Sequence, residues 1–173
     1  MYERSYGYKY DEAKGSATDI AKMIRADIKQ AVAEGLLPSR WRYSVKTRYA
    51  SIDVEVKNCA DAWIECDGSM PGTRHVWPDG SSTATRCPNV WCKARNDPQY
   101  AHAAETHDVL TDEAQVAKIT LERIHNAYNH DGSETQVDYF DVRYYGSVDF
   151  QTARGADFEQ REKARKAARK ATR

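Results

Sequence analysis

Apolar positions recur at helical spacing from residue 20 onward, with Ile20, Met23, Ile24, Ile28, Ala31 and Val32 on one face. Ser16 with Asp19 three residues later forms a capping box that uses Asp in place of Glu, so the helix should begin there. Gly35 suits the left-handed terminating conformation and Pro38 blocks continuation, which predicts an end near Glu34. The period then changes. Trp41, Tyr43 and Val45 alternate with Arg42, Ser44 and Lys46, and Ile52, Val54 and Val56 alternate with Asp53, Glu55 and Lys57, which predicts a hairpin with one buried face. Thr111 caps a second helix whose stripe of Ala117, Leu121, Ile124 and Tyr128 should dock on the sheet before Asp131-Gly132 ends it. Residues 137–150 are rich in β-formers broken by Gly146-Ser147, and read as one bent strand or a tight hairpin.

Between Asn58 and Gln99 this periodicity disappears, and glycines, prolines, three tryptophans and all four cysteines take its place. A loop of this length inside a domain points to a functional or metal-organised segment, or to a set of short strands hidden by the pattern. The expectation is an α+β fold in which two helices pack on a small antiparallel sheet. An N-terminal arm covers 1–15, a single domain 16–152 with the cysteine- and tryptophan-rich insertion 58–99, and a basic C-terminal helix 156–173. Tyr2, Tyr6, Tyr8 and Tyr10 suit either an arm that packs its rings on the domain or a short edge strand.

A chain of 173 residues with 40% hydrophobic content can build one core and not two. No run approaches the roughly twenty apolar residues that span a bilayer, and the start MYERSYGYKY lacks a secretory pattern, so a cytoplasmic location is expected. Formal charge is balanced, 26 against 26, but unevenly placed. Residues 161–173 carry seven basic side chains and one acidic, leaving 19 basic against 25 acidic in residues 1–160. Polyanion contact, if made, should therefore be local to the tail, through Lys163, Arg165, Lys166, Arg169, Lys170 and Arg173, and a purely solubilising helix fits the same residues.

Cysteines in a reducing compartment are buried, metal-bound or reactive more often than paired in disulfides. Cys59, Cys66, Cys87 and Cys92, with His75 between them, supply the thiolates and imidazole that zinc takes in a tetrahedral site. Paired zinc ligands favour about two to four intervening residues; Cys87 and Cys92 have four between them and Cys59 and Cys66 have six. Three readings stay open: buried thiols, zinc, or a disulfide or redox pair. No local signature marks a cysteine nucleophile beside any histidine. His125, His130, Asp131, Asp138 and Asp141 are the set that would hold Mn or Mg for cutting a phosphodiester, although a spacing of five turns the two imidazoles to different helix faces. Trp63, Trp77 and Trp91 serve either as a substitute core or as stacking and partner contacts.

Two blocks together resemble the large polyvalent protein-associated domains of phages and conjugative elements. The first is Ile20-Ala21-Lys22-Met23-Ile24-Arg25 leading into Arg42 to Lys46 and Ser51 to Val56. The second is Ile124 and Tyr128-Asn129 followed by Asp138-Tyr139-Phe140 and Val142. The resemblance covers about half the chain, treats the cysteine-bearing segment as an insertion, and implies a mobile-element context and a fold but no catalytic residues. The resulting expectation is a non-enzymatic phage or mobile-element accessory protein that binds a host protein or nucleoprotein complex, with counter-defence as its implied context. A zinc-stabilised nucleic-acid binder and a metal-dependent nuclease are the alternatives.

Overall fold

The structure, a computed structural model, describes residues 5–13, 15–76, 82–87, 89–95, 98–133, 141–152 and 155, with backbone alone described for 70–76 and 82–86. In chain order its elements are β1 (Ser5–Tyr6), α1 (Ala17–Ala33), β2 (Arg42–Arg48), β3 (Ser51–Lys57), β4 (Trp63–Glu65), β5 (Ser69–Val76), β6 (Ser82–Arg86), β7 (Asp108–Leu110), α2 (Asp112–Asn126), β8 (His130–Asp131) and β9 (Val148–Phe150). This is an α+β fold, and it divides into a main unit, 1–59 with 117–173, and an excursion, Ala60–Val116. No helix among the described residues is long and apolar enough to cross a membrane.

In the main unit, helix α1 starts at the expected capping box, with Ser16 and Asp19 exchanging side-chain and backbone bonds, and ends at Glu34 ahead of Gly35 at φ 74. Its buried face, Ile20, Ala21, Ile24, Ile28 and Ala31, packs on β2 and β3. The hairpin forms in the predicted register, Tyr43 opposite Val56 and Val45 opposite Val54, so Ile52, Val54 and Val56 all point into the core. Leu121 and Ile124 of α2 are buried too, and the His125 ring joins α2 to β3 through Nε2 and the Ile52 carbonyl at 2.8 Å.

The third strand departs from the expected antiparallel sheet. β9 lies parallel to β3, with Val54 opposite Val148 and Val56 opposite Phe150. Parallel neighbours need a long crossover, and here the crossover contains the whole excursion and α2. Nor is 137–150 a continuous strand or a hairpin over its described part. Val142 and Tyr145 make isolated bridges to Asp131 and Ser51, and only Val148–Phe150 joins the sheet. At Gly146 the chain passes so close to the Ile52 carbonyl that no side chain would fit.

Over its described residues the N-terminal segment shows both a short strand and packed rings, and Tyr2 lies outside them. β1 pairs with β8, and the Tyr6, Tyr10 and His130 rings pack together. Arg143 lies 3.8 Å over the Tyr10 ring and donates to the Tyr10 and Tyr128 carbonyls. Lys9 donates to Asp27 at 2.7 Å, and the buried Tyr128 hydroxyl donates to the same carboxylate at 2.7 Å. The basic segment 156–173 lies outside the described residues.

Burial, reinforced by the Asp27 carboxylate, pushes the Tyr128 phenol up to about 12, and burial also raises Tyr144. Both phenols are neutral in the folded state at a pH where an unfolded tyrosine, at about 10, would ionise. Their contribution is therefore complete below about pH 10 and is lost as pH rises through the folded values. Phenolate absorbance should show Tyr128 and Tyr144 ionising only with alkaline unfolding, above the range of an unfolded tyrosine.

Candidate metal centre

The excursion has almost nothing aliphatic to fold around among its described residues. Among its described residues the buried side chains are Ala62, Ala114, Cys66, Cys87 and Cys92, with Ala94 and Val109 packed partly buried against the cysteines. Its short strands pair as two ribbons, β4 with β7 and β5 with β6. A unit of about 57 residues with so small a core needs a staple. The expected insertion 58–99 is thus a set of short strands, and as a compact unit it runs on through β7 to Val116.

Each sulfur sits where a turn has been shaped to receive it. Cys66 follows β4, and the Gly68 amide turns back to donate to Cys66 Sγ at 3.4 Å. Asp67 holds that turn through bonds from the Ser69 amide at 2.9 Å and hydroxyl at 2.6 Å, which also lower the carboxyl's pKa. Gly68 has φ +90, and a methyl there would meet the Ala94 carbonyl at 2.5 Å, so glycine is required both by conformation and by space. Cys92 heads a second turn, which the Arg95 amide closes by donating to the Cys92 carbonyl at 3.1 Å, and the nearby Ala94 and Arg95 amides favour the thiolate. Asn89 organises the approach to it, its side-chain oxygen accepting from the Trp91 amide at 3.0 Å.

Backbone bonds tie these segments together. The Cys66 amide donates to the His107 carbonyl at 2.9 Å, the Cys87 amide to the Gly68 carbonyl at 2.9 Å, and the Lys93 amide to the Glu105 carbonyl at 2.8 Å. As a result one ligand atom each from Cys66, Cys87, Cys92 and His107 lies within 4.8 Å of all the others. The Cys92 and Cys66 sulfurs are 3.7 Å apart, and His107 Nε2 is 3.3 Å from Cys87 Sγ. His107 Nδ1 is buried and meets no hydrogen-bond partner among the described residues.

The electrostatics of this group fit a cation. Burial pushes the Cys66 thiol up to about 11, the neighbouring Cys87 and Cys92 sulfurs adding to the effect against the Gly68 amide. At Cys92 burial acts in the same direction, but the Cys66 thiol and the Ala94 and Arg95 amides outweigh it and hold the thiol below its ordinary value. Three sulfurs this close cannot all ionise in a buried site without a positive charge among them. A divalent ion removes the conflict, and the amides aimed at Cys66 and Cys92 are the outer support that bound thiolates use. The buried Cys3His group can therefore hold a metal ion.

Only part of this set was expected. Cys66, Cys87 and Cys92 come together, whereas Cys59 belongs to the main unit, where its buried thiol donates to the Val56 carbonyl at 3.3 Å and lies 3.5 Å from that of Gln151. His75 stands opposite Thr83 on β5, and its ring is not among the described side chains. His107 takes the imidazole position, and its signal was the fourteen residues separating it from Cys92, a span common between zinc-ligand pairs.

Trp63 is half-buried on β4, and Trp91 is 41% exposed, edge-on to Tyr100 at 5.1 Å. Beside Cys92 is a concavity of about 450 Å³ walled by Pro98 and Tyr100. Trp77 lies outside the described residues, as do Lys163, Arg165, Lys166, Arg169, Lys170 and Arg173. The residues considered for phosphodiester cleavage do not converge where they are described. His125 is engaged with Ile52 and Asn126, while His130 pairs with Asp141 at 3.0 Å; Asp138 lies outside the described residues.

No family model, curated protein or solved structure matches the chain.

Gly68→Ala should weaken metal affinity about tenfold or more, the scale on which outer-sphere support acts, while leaving all four ligands in place. Competition with a chromophoric chelator measures it.

Proposed function

We propose that this protein is a zinc-stabilised binding protein, in which the metal sustains the excursion and the chain acts by associating with another macromolecule. The observation that carries the reading is the closed donor set, Cys66, Cys87, Cys92 and His107, buried or half-buried within 4.8 Å of one another. Three thiolates and an imidazole are the soft, tetrahedral set that suits zinc. Four protein ligands leave no position for a water or substrate, which is the arrangement of structural sites and not of catalytic ones. The concavity beside Cys92 gives a substrate no open coordination position to reach.

The partner in this reading is a host protein or nucleoprotein complex; the resemblance of the two sequence blocks described above supports a phage or mobile-element origin, and a counter-defence role rests on the context of that family and on no residue of this chain. Nucleic acid is a second reading, favoured by the seven basic residues of 161–173. The excursion itself does not favour it, since residues 60–116 carry nine acidic side chains against four basic.

Elemental analysis of protein purified without added metal should give one zinc per chain. Cobalt substitution should produce the absorption of tetrahedral thiolate ligation, lost in Cys87→Ser and in His107→Ala but retained in Cys59→Ser. Absence of stoichiometric metal from freshly prepared, reduced protein would remove the proposal. For the second reading, truncation after Gln160 should abolish salt-dependent retention of DNA or RNA.

A further inference from the structure

In the main unit, Arg48 pairs with Ser51, so Tyr49 and Ala50 alone make the hairpin turn. Two-residue turns that match the twist of the strands place their first central residue at positive φ, and glycine occupies that position without strain. Tyr49 occupies it instead, at φ 53, a region that bulky side chains adopt only at an energetic cost. Its ring is 98% exposed, so no packing within the protein offsets that cost.

A second tyrosine stands at the same turn. The Tyr145 amide donates to the Ala50 carbonyl at 3.0 Å and its carbonyl accepts from the Ile52 amide at 2.8 Å, and its side chain is 54% exposed. Arg48, also exposed, completes the tip. Tyrosine and arginine are the residue types that dominate binding energy at protein interfaces.

The face that continues from this tip identifies the kind of partner. Alternation with the core positions puts Arg42, Lys46 and Arg48 of β2, Asp53, Glu55 and Lys57 of β3, and Asp149 of β9 on one side of the sheet. Four cations stand among three carboxylates, with Lys46 2.6 Å and Lys57 3.4 Å from Glu55. Such a mosaic complements another protein surface, whereas a polyanion would meet repulsion from Asp53, Glu55 and Asp149.

We propose that Tyr49 and Tyr145 anchor a docking surface for a protein partner that brings an apolar pocket to the rings and a carboxylate to Arg48. The proposal rests on the reading of this chain as a binding protein and names the surface it uses.

The test has a stability arm and a binding arm, both on full-length protein. Tyr49→Gly should leave Tm unchanged or raised, because the ring supports nothing in the fold; a lowered Tm would overturn the proposal. Nuclease-treated extract is passed over the tagged wild-type protein, the retained protein is identified and purified, and its Kd is measured. Tyr49→Gly and Tyr145→Ala should each weaken that Kd about tenfold or more, with metal content unchanged. Equal affinity for wild type and both variants sinks the surface but leaves the binding reading intact. Retention abolished by nuclease assigns the contact to nucleic acid and also overturns the proposal. If wild type retains no protein from extract either with or without nuclease treatment, the reading of a protein partner fails and takes the proposal with it.

Discussion

Sulfur buried in place of hydrocarbon is the constraint on which the excursion depends. Three thiols and two alanines are its buried side chains among the described residues, and they supply too little apolar area to offset the conformational entropy of the chain that surrounds them. Thiols packed this closely also resist ionisation together, so without a cation the cluster is both a weak core and a poor ligand set. Every local device near it acts on the same problem. The two turns aim amides at sulfur, Asp67 and Asn89 hold those turns, and backbone bonds join strands that would otherwise be too short to persist.

The main unit is built by a different rule. Isoleucines of α1, the inward face of β3 and the buried aromatics Tyr128, Tyr144 and Phe150 form an ordinary hydrophobic core. Buried polar groups there are met by partners in the contacts among Lys9, Asp27 and Tyr128, whereas His130 Nδ1 meets none among the described residues. Cys59 belongs to this world and not to the cluster, although it is only seven residues from Cys66. Its thiol serves as a small buried side chain with a carbonyl to donate to.

What the sequence disclosed follows the same division. Elements whose folding is governed by periodicity and caps were legible, so α1, the β2–β3 hairpin and the start of α2 at Thr111 fall where Ser16, Gly35 and Thr111 put them. Pairings set by distant segments were not, because nothing in Val148–Phe150 states that its partner is β3 or that the two run parallel. The cluster was half legible. Cysteines announce themselves by type, but His107 is one of five histidines and lies beyond Gln99, where the irregular composition gives way. Cys59 misled for the converse reason, since thiol chemistry alone cannot tell a ligand from a core residue.

The parallel pairing of β3 with β9 sets an order of assembly. When Lys57 leaves the ribosome, β3 has β2 on one side, but its other neighbour is encoded some ninety residues later. A contact of such high sequence separation forms late. The cysteine turns, whose backbone partners lie between Cys66 and His107, can organise while that edge still waits. The nascent chain thus exposes the edge of β3 for as long as synthesis of the intervening residues lasts, and the polar alternation of Ser51, Asp53, Glu55 and Lys57 keeps half of that strand unattractive to other chains in the interval.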